Sequence, residues 1–546
     1  MMDTYESIDI QELPLRVPLY RRKVEDFLGR NGLRLEEVDL YLAVLSDDGT
    51  ILAGGGLCRD MIKCLAVSET ARSLGLSVPL ISRLISMAAE RGHTNVKVFT
   101  KPGNRTVFES LGFHVLAGAP KAILMENGRG LEDYCRYLRG HRADGVIVMN
   151  ANPFTLGHRY LVEQASSSLA IIPVKEDLSR FPYTERLEMI RQGSAGLADV
   201  VEGSDYQISA ATFPTYFLKD LSDAAETQMR LDIDLFGRHI APALGATKRF
   251  VGSEPADALT ARYNALMKEI LPFYGVEVVE IRRLKGSNGR FIQGTRVREL
   301  LDQGRFHAAA ALTPASTHPY LMACLAERAL RMELDTPLKP GLVGPDSSGA
   351  HRDMDYTLMQ KGIAAIRPFF PRMAVASSPE ELRQLGLDAE RAMLAATGGV
   401  NTHRGAIFAL GLALYPHPIA ETAALLDQGT TKQWASGVKS AMQMARNGYN
   451  DLSENWLPYY RSVKEEPYGL QKTLLRIMSE LDDTCIIHRM GPARAQEVKD
   501  EASALLAGFD PEKLKAMNAR YAAEGVSPGG AADMLALTIF ADSLFN

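Results

Sequence analysis

The chain has 546 residues, of which 46% are apolar and 23% charged, and its 61 basic and 66 acidic side chains give a formal net charge of −5. A chain of this length is too long to form a single hydrophobic core. At about 150 residues per domain it is expected to form three or four domains, and the sequence pattern favours three. The charge balance gives no global drive toward nucleic acid, although a local basic patch stays open.

The sequence has no feature of a membrane or secreted protein. Residues 1–6 are acidic and lack the apolar core of a signal peptide, and no segment approaches the roughly 20 apolar residues that cross a bilayer. The five cysteines are scattered without CxxC spacing, which predicts neither a disulfide framework nor a zinc site. We therefore expect a cytoplasmic protein with no membrane or nucleic-acid partner, in which most cysteines are small core residues.

The first segment, residues 1–140, is predicted to be an α+β domain. Strand-like runs at Tyr41–Leu45 and Met61–Val67 alternate with the helical pattern Val78–Glu90. The order of strand, Arg72-x-x-Gly75 turn and helix resembles the acyl-CoA-binding turn of the GNAT-type acetyltransferases, where backbone N–H groups hold a pyrophosphate. The resemblance implies that Arg72 and Gly75 bind a CoA-like arm. A retained scaffold with a merely solvated Arg72 is the alternative.

A second domain, residues 141–312, is predicted to follow a connecting stretch at residues 128–144. Helical patterns alternate with short apolar runs that are typical of buried strands: Val146–Met149, Ala170–Val174, Arg249–Val251 and Val276–Ile281. This alternation predicts a parallel sheet with crossover helices, and such sheets bind ligands at the carboxyl ends of their strands.

The stretch Asn150–His158 lies between the first of these runs and a helix-like segment, Tyr160–Ala165. The first N–H groups of a helix have no intrahelical partner and carry positive partial charge, so a phosphate can bind there. Gly157 leaves room for the phosphate, and His158 can donate to the charge that develops when an α-phosphate is attacked. The turn therefore predicts nucleotidyl transfer.

A second phosphate-binding end is predicted at Phe291–Leu300. Thr295 is a natural helix cap, and it would place Arg296 and Arg298 near a helix N-terminus, where guanidinium groups bind phosphate oxygens. The alternative is a surface helix with ordinary arginines. The basic stretch Arg282–Arg290 has three possible interpretations: a surface that attracts an acidic carrier protein, a loop that closes over the triphosphate, or an ordinary solvated loop.

These segments resemble the HxGH and ISSxxxR motifs of the nucleotidyltransferase superfamily, and most closely the citrate lyase ligase family. The resemblance covers residues 1 to about 312 and includes Asn150–Gln164, Ser179–Arg186, Ile208–Lys219 and Val251–Pro255. Thr155 stands where the superfamily usually has its first His, as it does in the ligase family, whereas Gln293 and Gly294 depart from the usual hydroxyl residues. The resemblance implies a Rossmann-like central domain of the HUP class.

The resemblance also implies a reaction. ATP and acetate give acetyl-adenylate and pyrophosphate, after which the thiol of the citrate lyase acyl carrier protein takes the acetyl group. His158 with Thr155 would steady the α-phosphate, and Arg298 with Mg²⁺ would neutralise the departing pyrophosphate. The residues implied in ATP binding are Asn152, Phe154, Gly157, Thr295 and Arg296, with Lys219 as a further candidate.

Beyond about residue 316 the pattern predicts an all-α domain, residues 316–546. Four polar loops interrupt its helices: Lys339–Val343 with Gly349–Asp355, Thr397–Gly405, Asp482–Thr484 and Ser527–Asp533. Carboxylates suit Mg²⁺ and cationic side chains suit phosphate oxygens, so the loops favour a triphosphate site. For any single loop, the alternative is an ordinary cap or turn of a helical bundle.

These loops resemble the triphosphoribosyl-dephospho-CoA synthase family across nearly all of residues 316–546. The resemblance implies transfer of the triphosphoribosyl part of ATP to dephospho-CoA with release of adenine. The implied site residues are Lys339, His351, Asp353, Asp355, Asn401, His403, Arg404 and Asp483, with Asp353, Asp355 and Asp483 as Mg²⁺ ligands.

The two resemblances together predict a bifunctional enzyme of citrate lyase activation that uses ATP and Mg²⁺ and has no tightly bound organic cofactor. Two alternatives stay open at this point. One is a generic adenylyl- or cytidylyltransferase with a helical appendage, and the other is a non-catalytic scaffold that binds an acyl carrier protein.

Overall fold

The structure is a computed structural model that describes residues 8–165, 168–175, 178–208, 221–254, 257–287, 289–426 and 441–545. Most of the Ile208–Lys219 motif, including Lys219, and Pro255 lie outside the described residues. The chain forms two compact units, Met1–Ile292 and Gln293–Asn546.

The first unit begins with a seven-stranded sheet in the order β1-β2-β3-β4-β5-β7-β6, in which only β4 and β5 pair in parallel. The predicted strand Met61–Val67 is confirmed, and the predicted helix begins one residue earlier, at Ser77. The strands are β1 (Ile10–Glu12), β2 (Leu40–Leu45), β3 (Ile51–Cys58), β4 (Met61–Val67), β5 (Val96–Thr100), β6 (His114–Gly118) and β7 (Ile123–Asn127). The helices are α1 (Pro18–Arg30), α2 (Ser77–Glu90), α3 (Arg105–Glu109) and α4 (Gly130–Leu138).

A second sheet of the same unit has five strands in the order β10-β9-β8-β11-β12, and all its pairs are parallel, as predicted. The chain runs from β8 toward one edge and then returns to the other side of β8, which opens a crevice at the carboxyl ends of β8 and β11. The strands are β8 (Gly145–Met149), β9 (Leu169–Pro173), β10 (Asp199–Val200), β11 (Lys248–Gly252) and β12 (Glu277–Ile281). The helices are α5 (Leu156–Gln164), α6 (Tyr183–Gly193), α7 (Leu221–Leu235), α8 (Ala241–Leu244) and α9 (Ala258–Ile270).

The stretch predicted as a plain connection holds helix α4, so this expectation was wrong. Leu131, Cys135 and Leu138 lie on one face of α4 and are buried in a core that both sheets share. Polar residues between them conceal this apolar face in the sequence. A hydrogen bond also joins the first sheet to helix α7, since the Gly118 N–H at the end of β6 donates to Asp234 Oδ2 at 2.8 Å.

The second unit is helical, and its described residues contain no β-strand. Its fifteen described helices are α10 (Gly294–Asp302), α11 (Phe306–Ala310), α12 (His318–Asp335), α13 (Tyr356–Ile366), α14 (Phe370–Met373), α15 (Pro379–Ala396), α16 (Arg404–Leu414), α17 (Ile419–Leu426), α18 (Ala441–Arg446), α19 (Leu457–Val463), α20 (Gly469–Glu480), α21 (Thr484–Met490), α22 (Pro492–Ala507), α23 (Pro511–Glu524) and α24 (Gly529–Leu544). Helix α24 is apolar on nearly every side and packs against α12, α16 and α20, which makes it the central helix of this unit.

Three of the five cysteines, Cys64, Cys135 and Cys324, are buried and free, as predicted. Within the part of the chain that the structure describes, no helix is both long and apolar enough to cross a bilayer.

Candidate active sites

The turn after β8 is organised by a reciprocal cap at the start of α5. Helix α5 begins at Leu156, so Gly157 and His158 lie in its first turn rather than before it. Thr155 is the N-cap residue, and its Oγ1 accepts the His158 N–H at 3.3 Å. In return, His158 Nδ1 accepts the Thr155 N–H at 3.0 Å. This capping box fixes the imidazole ring against the backbone.

His158 is therefore held in one tautomer. Because Nδ1 accepts a backbone N–H, the ring proton lies on Nε2, which is left to act as a hydrogen-bond donor. Burial, and secondarily the positive charge of Arg283, lowers the pKa of His158 to about 4. The buried ring of Phe154 stacks on the imidazole with 5.6 Å between ring centroids. The result is a neutral, oriented N–H donor in the first turn of a helix.

The space beside Gly157 is narrower than the sequence indicated. A Cβ at this position would lie 3.3 Å from the Ile292 carbonyl oxygen and 3.5 Å from Thr155 Oγ1. The chain's own backbone thus limits this space, and the phosphate that Gly157 was predicted to admit stays a prediction.

Arg186 supports the turn from below and was not singled out as a site residue from the sequence. Its side chain is fully buried, and Nη1 donates to the Asn150 backbone oxygen at 2.9 Å and to Val174 O at 2.7 Å. It thereby ties the ends of β8 and β9 together. Asn152, which was predicted to bind ATP, accepts the Phe181 N–H through Oδ1 at 3.3 Å. The sequence signal for this support was the segment Ser179–Arg186, which resembles the ligase family and ends at this arginine.

A cavity of about 380 Å³ opens at the crevice between β8 and β11. Its walls come from the carboxyl end of β8, from Arg249 near the amino end of β11 and from helices α7 and α9. Apolar side chains make up about half of its lining, while Asn150 connects it to the turn before α5. The sequence predicted a ligand site at this edge of the sheet but did not identify the residues of α7 and α9.

Thr295 does not cap α10, so this expectation was wrong. The helix begins at Gly294 with Gln293 in the N-cap position, and Thr295 lies within the first turn. Its Oγ1 accepts a hydrogen bond from Arg298 Nη2 at 3.0 Å. Arg296 is exposed and pairs with Glu299 at 2.9 Å. Helix α10 packs against α11 and α12 in the second unit.

The turn between β4 and α2 has the predicted order of elements. Gly75 adopts φ 67°, a left-handed conformation that glycine accepts readily, and no atom lies within 4 Å of its Cβ position. Arg72 is 65% exposed and lies 3.7 Å from Glu69.

In the helical unit, a cavity of about 180 Å³ brings three of the four predicted loops together, along with α21. Of the predicted residues, His351, Asn401, His403 and Arg404 line it. Further polar residues line the cavity and were not predicted as site residues, namely Glu333, Thr402, Arg489, Ser527 and Asp533.

The two histidines of this cavity are neutral. Burial, and secondarily Lys339, lowers the pKa of His403 to about 3, and its Nδ1 lies 2.9 Å from Thr402 Oγ1. Burial also lowers the pKa of His351, whose Nε2 lies 2.9 Å from Ser527 Oγ.

Several predicted polar residues have structural partners instead. Lys339 is buried, and its Nζ donates to Glu333 Oε1 at 2.5 Å and to the Glu333 backbone oxygen at 2.6 Å. Asp355 caps α13 by accepting the Leu358 N–H at 2.8 Å. Asp483 caps α21, with one oxygen accepting the Cys485 N–H and the other the Ala531 N–H, both at 2.9 Å. These partners correspond to the alternative of ordinary caps.

Asp533 is the carboxyl group that the cavity leaves with the most unusual environment. Burial, followed by the neighbouring carboxylates of Glu333 and Asp483, raises the pKa of Asp533 well above its usual range, against the opposing effect of a backbone hydrogen bond from Ala406. Such a carboxyl group keeps its proton to a higher pH than an ordinary aspartic acid does, which suits a proton donor.

The predicted metal ligands do not form a cluster. Within the described residues, no group of three or more His, Cys, Asp or Glu side chains is arranged to hold a metal ion. Asp353 is 70% exposed, and Asp483 has both oxygens on backbone N–H groups. Mg²⁺ commonly binds through substrate phosphates and only one or two carboxylates, so its use with ATP stays a prediction.

Comparisons with known proteins match both units. The model of the citrate lyase ligase C-terminal domain matches residues 144–321, and the model of the ATP:dephospho-CoA triphosphoribosyl transferase matches residues 319–432 and 416–546. The chain is 42% identical to a [citrate [pro-3S]-lyase] ligase of Klebsiella pneumoniae, over 55% of this chain and 92% of that protein. It is 40% identical to the protein of the same name from Escherichia coli K12, over 56% of this chain and 90% of that protein.

A different set of relatives matches the helical part. The chain is 34% identical to a protein of Azotobacter vinelandii named "probable 2-(5''-triphosphoribosyl)-3'-dephosphocoenzyme-A synthase", over 43% of this chain and 96% of that protein. A solved structure described as an acyl-CoA N-acyltransferase of Klebsiella pneumoniae aligns with 22% of this chain and 95% of its own, at 15% identity and a TM-score of 0.19.

The matches define a fused enzyme in which a ligase precedes a transferase. The chain belongs to the citrate lyase ligase family in its first part and to the triphosphoribosyl-dephospho-CoA synthase family in its second.

Proposed function

We propose that this chain activates citrate lyase through two ATP-dependent reactions. The ligase part acetylates the prosthetic-group thiol of the acyl carrier protein through acetyl-adenylate, with release of AMP and pyrophosphate. The synthase part makes triphosphoribosyl-dephospho-CoA from ATP and dephospho-CoA and releases adenine. Membership of both families supports the proposal, and it leaves a generic nucleotidyltransferase or a non-catalytic scaffold without support.

The oriented His158 is the observation that carries the ligase reaction. One oxygen of acetate forms a bond to the α-phosphorus of ATP, the bond from this phosphorus to the bridging oxygen breaks, and pyrophosphate leaves. Negative charge grows on the α-phosphate oxygens during this step. The Nε2–H of His158 and the positive end of the α5 helix dipole are suited to stabilise that charge, because they are fixed before the reaction begins.

For the synthase reaction, the 180 Å³ cavity of the helical unit supports a site for the ribose and phosphates of ATP. A hydroxyl group of dephospho-CoA forms a bond to the ribose carbon and loses its proton, while the ribose–adenine bond breaks and adenine leaves with the electron pair. Positive charge develops on the sugar, and the departing adenine needs a proton. Asp533 lines the cavity and is suited to supply that proton, while Arg404 and Arg489 are suited to phosphate oxygens.

The domains that precede the helical unit have finer assignments. We propose that the five-stranded parallel sheet is a Rossmann-like domain of the HUP class, since its strand order reverses at β8 beside the capped turn. We also propose that the seven-stranded sheet is GNAT-like and that the turn at Arg72 and Gly75 holds the CoA-like arm of the carrier. Arg72→Ala is then expected to raise the KM for the carrier and to leave the KM for ATP unchanged.

The two reactions can be separated by their products. Purified protein is incubated with ATP and either acetate plus deacetylated carrier or dephospho-CoA, and AMP and adenine are measured by chromatography. His158→Ala is expected to lower AMP formation by about 100-fold to 1,000-fold, as loss of a transition-state donor does, without affecting adenine release. Full AMP formation by this variant would contradict the role of His158.

A further inference from the structure

Arg249 is a buried cation at the crevice of the five-stranded sheet. It lies on β11, its residue is 3% exposed, and it lines the 380 Å³ cavity. Its Nε and Nη1 atoms are buried and donate to no partner in the described part of the chain. Buried guanidinium N–H groups without acceptors are costly, so their retention calls for a ligand.

The guanidinium is nonetheless held firmly on two sides. Its carbon lies 4.2 Å above the ring of Phe236, and Nη2 lies 3.3 Å from the Tyr263 hydroxyl oxygen. Tyr263 in turn donates its O–H to Asp232, whose other oxygen accepts the Ile208 N–H at 2.9 Å. Asp232 is thus occupied by Tyr263 and Ile208 and does not hydrogen-bond Arg249. Stacking fixes the plane of the guanidinium, and its Nε and Nη1 have no hydrogen-bond acceptor among the described residues.

The cavity beside Arg249 combines this cation with apolar side chains and with the polar side chains of Asp232, Gln207 and Gln228. Val148, Met149, Met229 and Leu259 are among the residues that line it. A planar carboxylate matches the N–H donors along one edge of a guanidinium, and a short alkyl group suits apolar walls. The cavity also reaches Asn150, the first residue of the turn that leads to His158.

We propose that Arg249 binds the carboxylate of the acid substrate, a short monocarboxylate such as acetate, and positions it for attack on the α-phosphorus. This assignment rests on the proposed ligase function. The guanidinium and the carboxylate form paired hydrogen bonds, the alkyl group lies against the apolar walls, and an oxygen of the bound carboxylate forms the new bond to phosphorus. The electron pair of the broken bond leaves with pyrophosphate, and no proton is transferred.

The test compares the full-length wild-type chain with Arg249→Lys and Arg249→Met in acetate-dependent exchange of pyrophosphate into ATP. Loss of the paired hydrogen bonds is expected to raise the KM for acetate, by about 10-fold in the Lys variant, which keeps the charge, and by about 100-fold in the Met variant, which does not. The KM for ATP should stay within about twofold. Arg230→Met is the matched control, because Arg230 pairs with Glu226 on α7 and does not line the cavity.

A purely structural Arg249 predicts different results. In that case the Arg249 substitutions would lower the midpoint of unfolding and leave the KM for acetate unchanged, or they would change the KM values for acetate and ATP equally. Either result would overturn the assignment. Partial recovery of acetate use by Arg249→Ala on addition of guanidinium ion would support it.

Direct binding separates this proposal from the ligase function. Saturation-transfer NMR of the acetate methyl group is expected to give a signal with the wild-type chain and ATP and to lose it with Arg249→Met. Absence of pyrophosphate exchange in the wild-type chain would overturn the ligase function, whereas equal acetate signals from wild type and Arg249→Met would overturn the role of Arg249.

Discussion

At the scale of single residues, hydrogen bonds decide which of several similar polar side chains are available for chemistry. His158 has its Nδ1 bound to a backbone N–H and its proton on Nε2, so it is a donor in one fixed direction. Asp483 and Asp355 belong to polar loops of the kind that the sequence associated with metal binding, yet both are helix caps. Asp533 differs from both because it lines the cavity beside other buried carboxyl groups, although it too accepts a backbone hydrogen bond, from Ala406 in the first turn of α16.

The pKa of His158 gives a prediction for the pH dependence of the ligase reaction. Because burial lowers this pKa to about 4, the imidazole stays neutral from about pH 5.5 to pH 8. His158→Gln keeps an acceptor for the Thr155 N–H and a side-chain donor, so the ratio of wild-type to variant rates of AMP formation should be constant over this range. Protonation of ATP and acetate affects the rates of the wild type and of the variant equally, so its effect cancels in the ratio.

A ratio that changes with a midpoint near pH 6.5 would show that His158 titrates normally and would contradict the buried, neutral ring. The same depressed pKa has a consequence for stability. As the pH falls from 6.5 toward 4, the unfolded chain binds a proton at His158 and the folded chain does not, so the free energy of unfolding decreases.

At the scale of secondary-structure elements, a helix start can serve both stability and function. Helix α5 begins four residues before the helix-like pattern indicated, because the capping box of Thr155 and His158 satisfies its first N–H groups. Boundaries of this kind are poorly marked in sequence, since a Thr-Leu-Gly-His stretch reads equally as a loop. By contrast, the apolar runs of β8, β9 and β11 marked their strands to within one residue.

Thr155 tests this double role. Thr155→Ala removes the Oγ1 that accepts the His158 N–H, which should cost about 1 kcal/mol of stability and leave the imidazole less firmly held. Thr155→Ser keeps the acceptor and serves as the control. Denaturant unfolding and AMP formation are both measured. Equal AMP formation by the two variants would show that the cap does not contribute to the ligase site.

At the scale of the whole molecule, two compact units carry two candidate sites built on different principles. In the first unit a parallel sheet brings strand ends and a helix start to one edge. In the second unit loops distant in sequence meet around the apolar helix α24. Each site is lined by residues of its own unit alone.

Independent sites predict that defects in the two reactions complement each other. His158→Ala chains should retain adenine release, and Asp533→Asn chains should retain AMP formation, because the amide cannot give up a proton as the acid does. A mixture of the two variants should therefore produce both products from ATP, acetate, carrier and dephospho-CoA at about half the wild-type rates per total chain. Loss of both products in either variant would show that the sites are coupled.

The sequence by itself determined the parallel sheet, the helical second part and the position of the Asn150–His158 turn between a strand and a helix, because local periodicity and short polar motifs carry this information. It did not reveal α4, the N-cap positions of Gln293 and Asp355, or the cavity residues Asp533 and Arg249. These depend on contacts between residues far apart in the chain. Only the tertiary structure decides which buried polar groups have partners and which face a cavity, since hydrogen-bond partners and burial are set by packing.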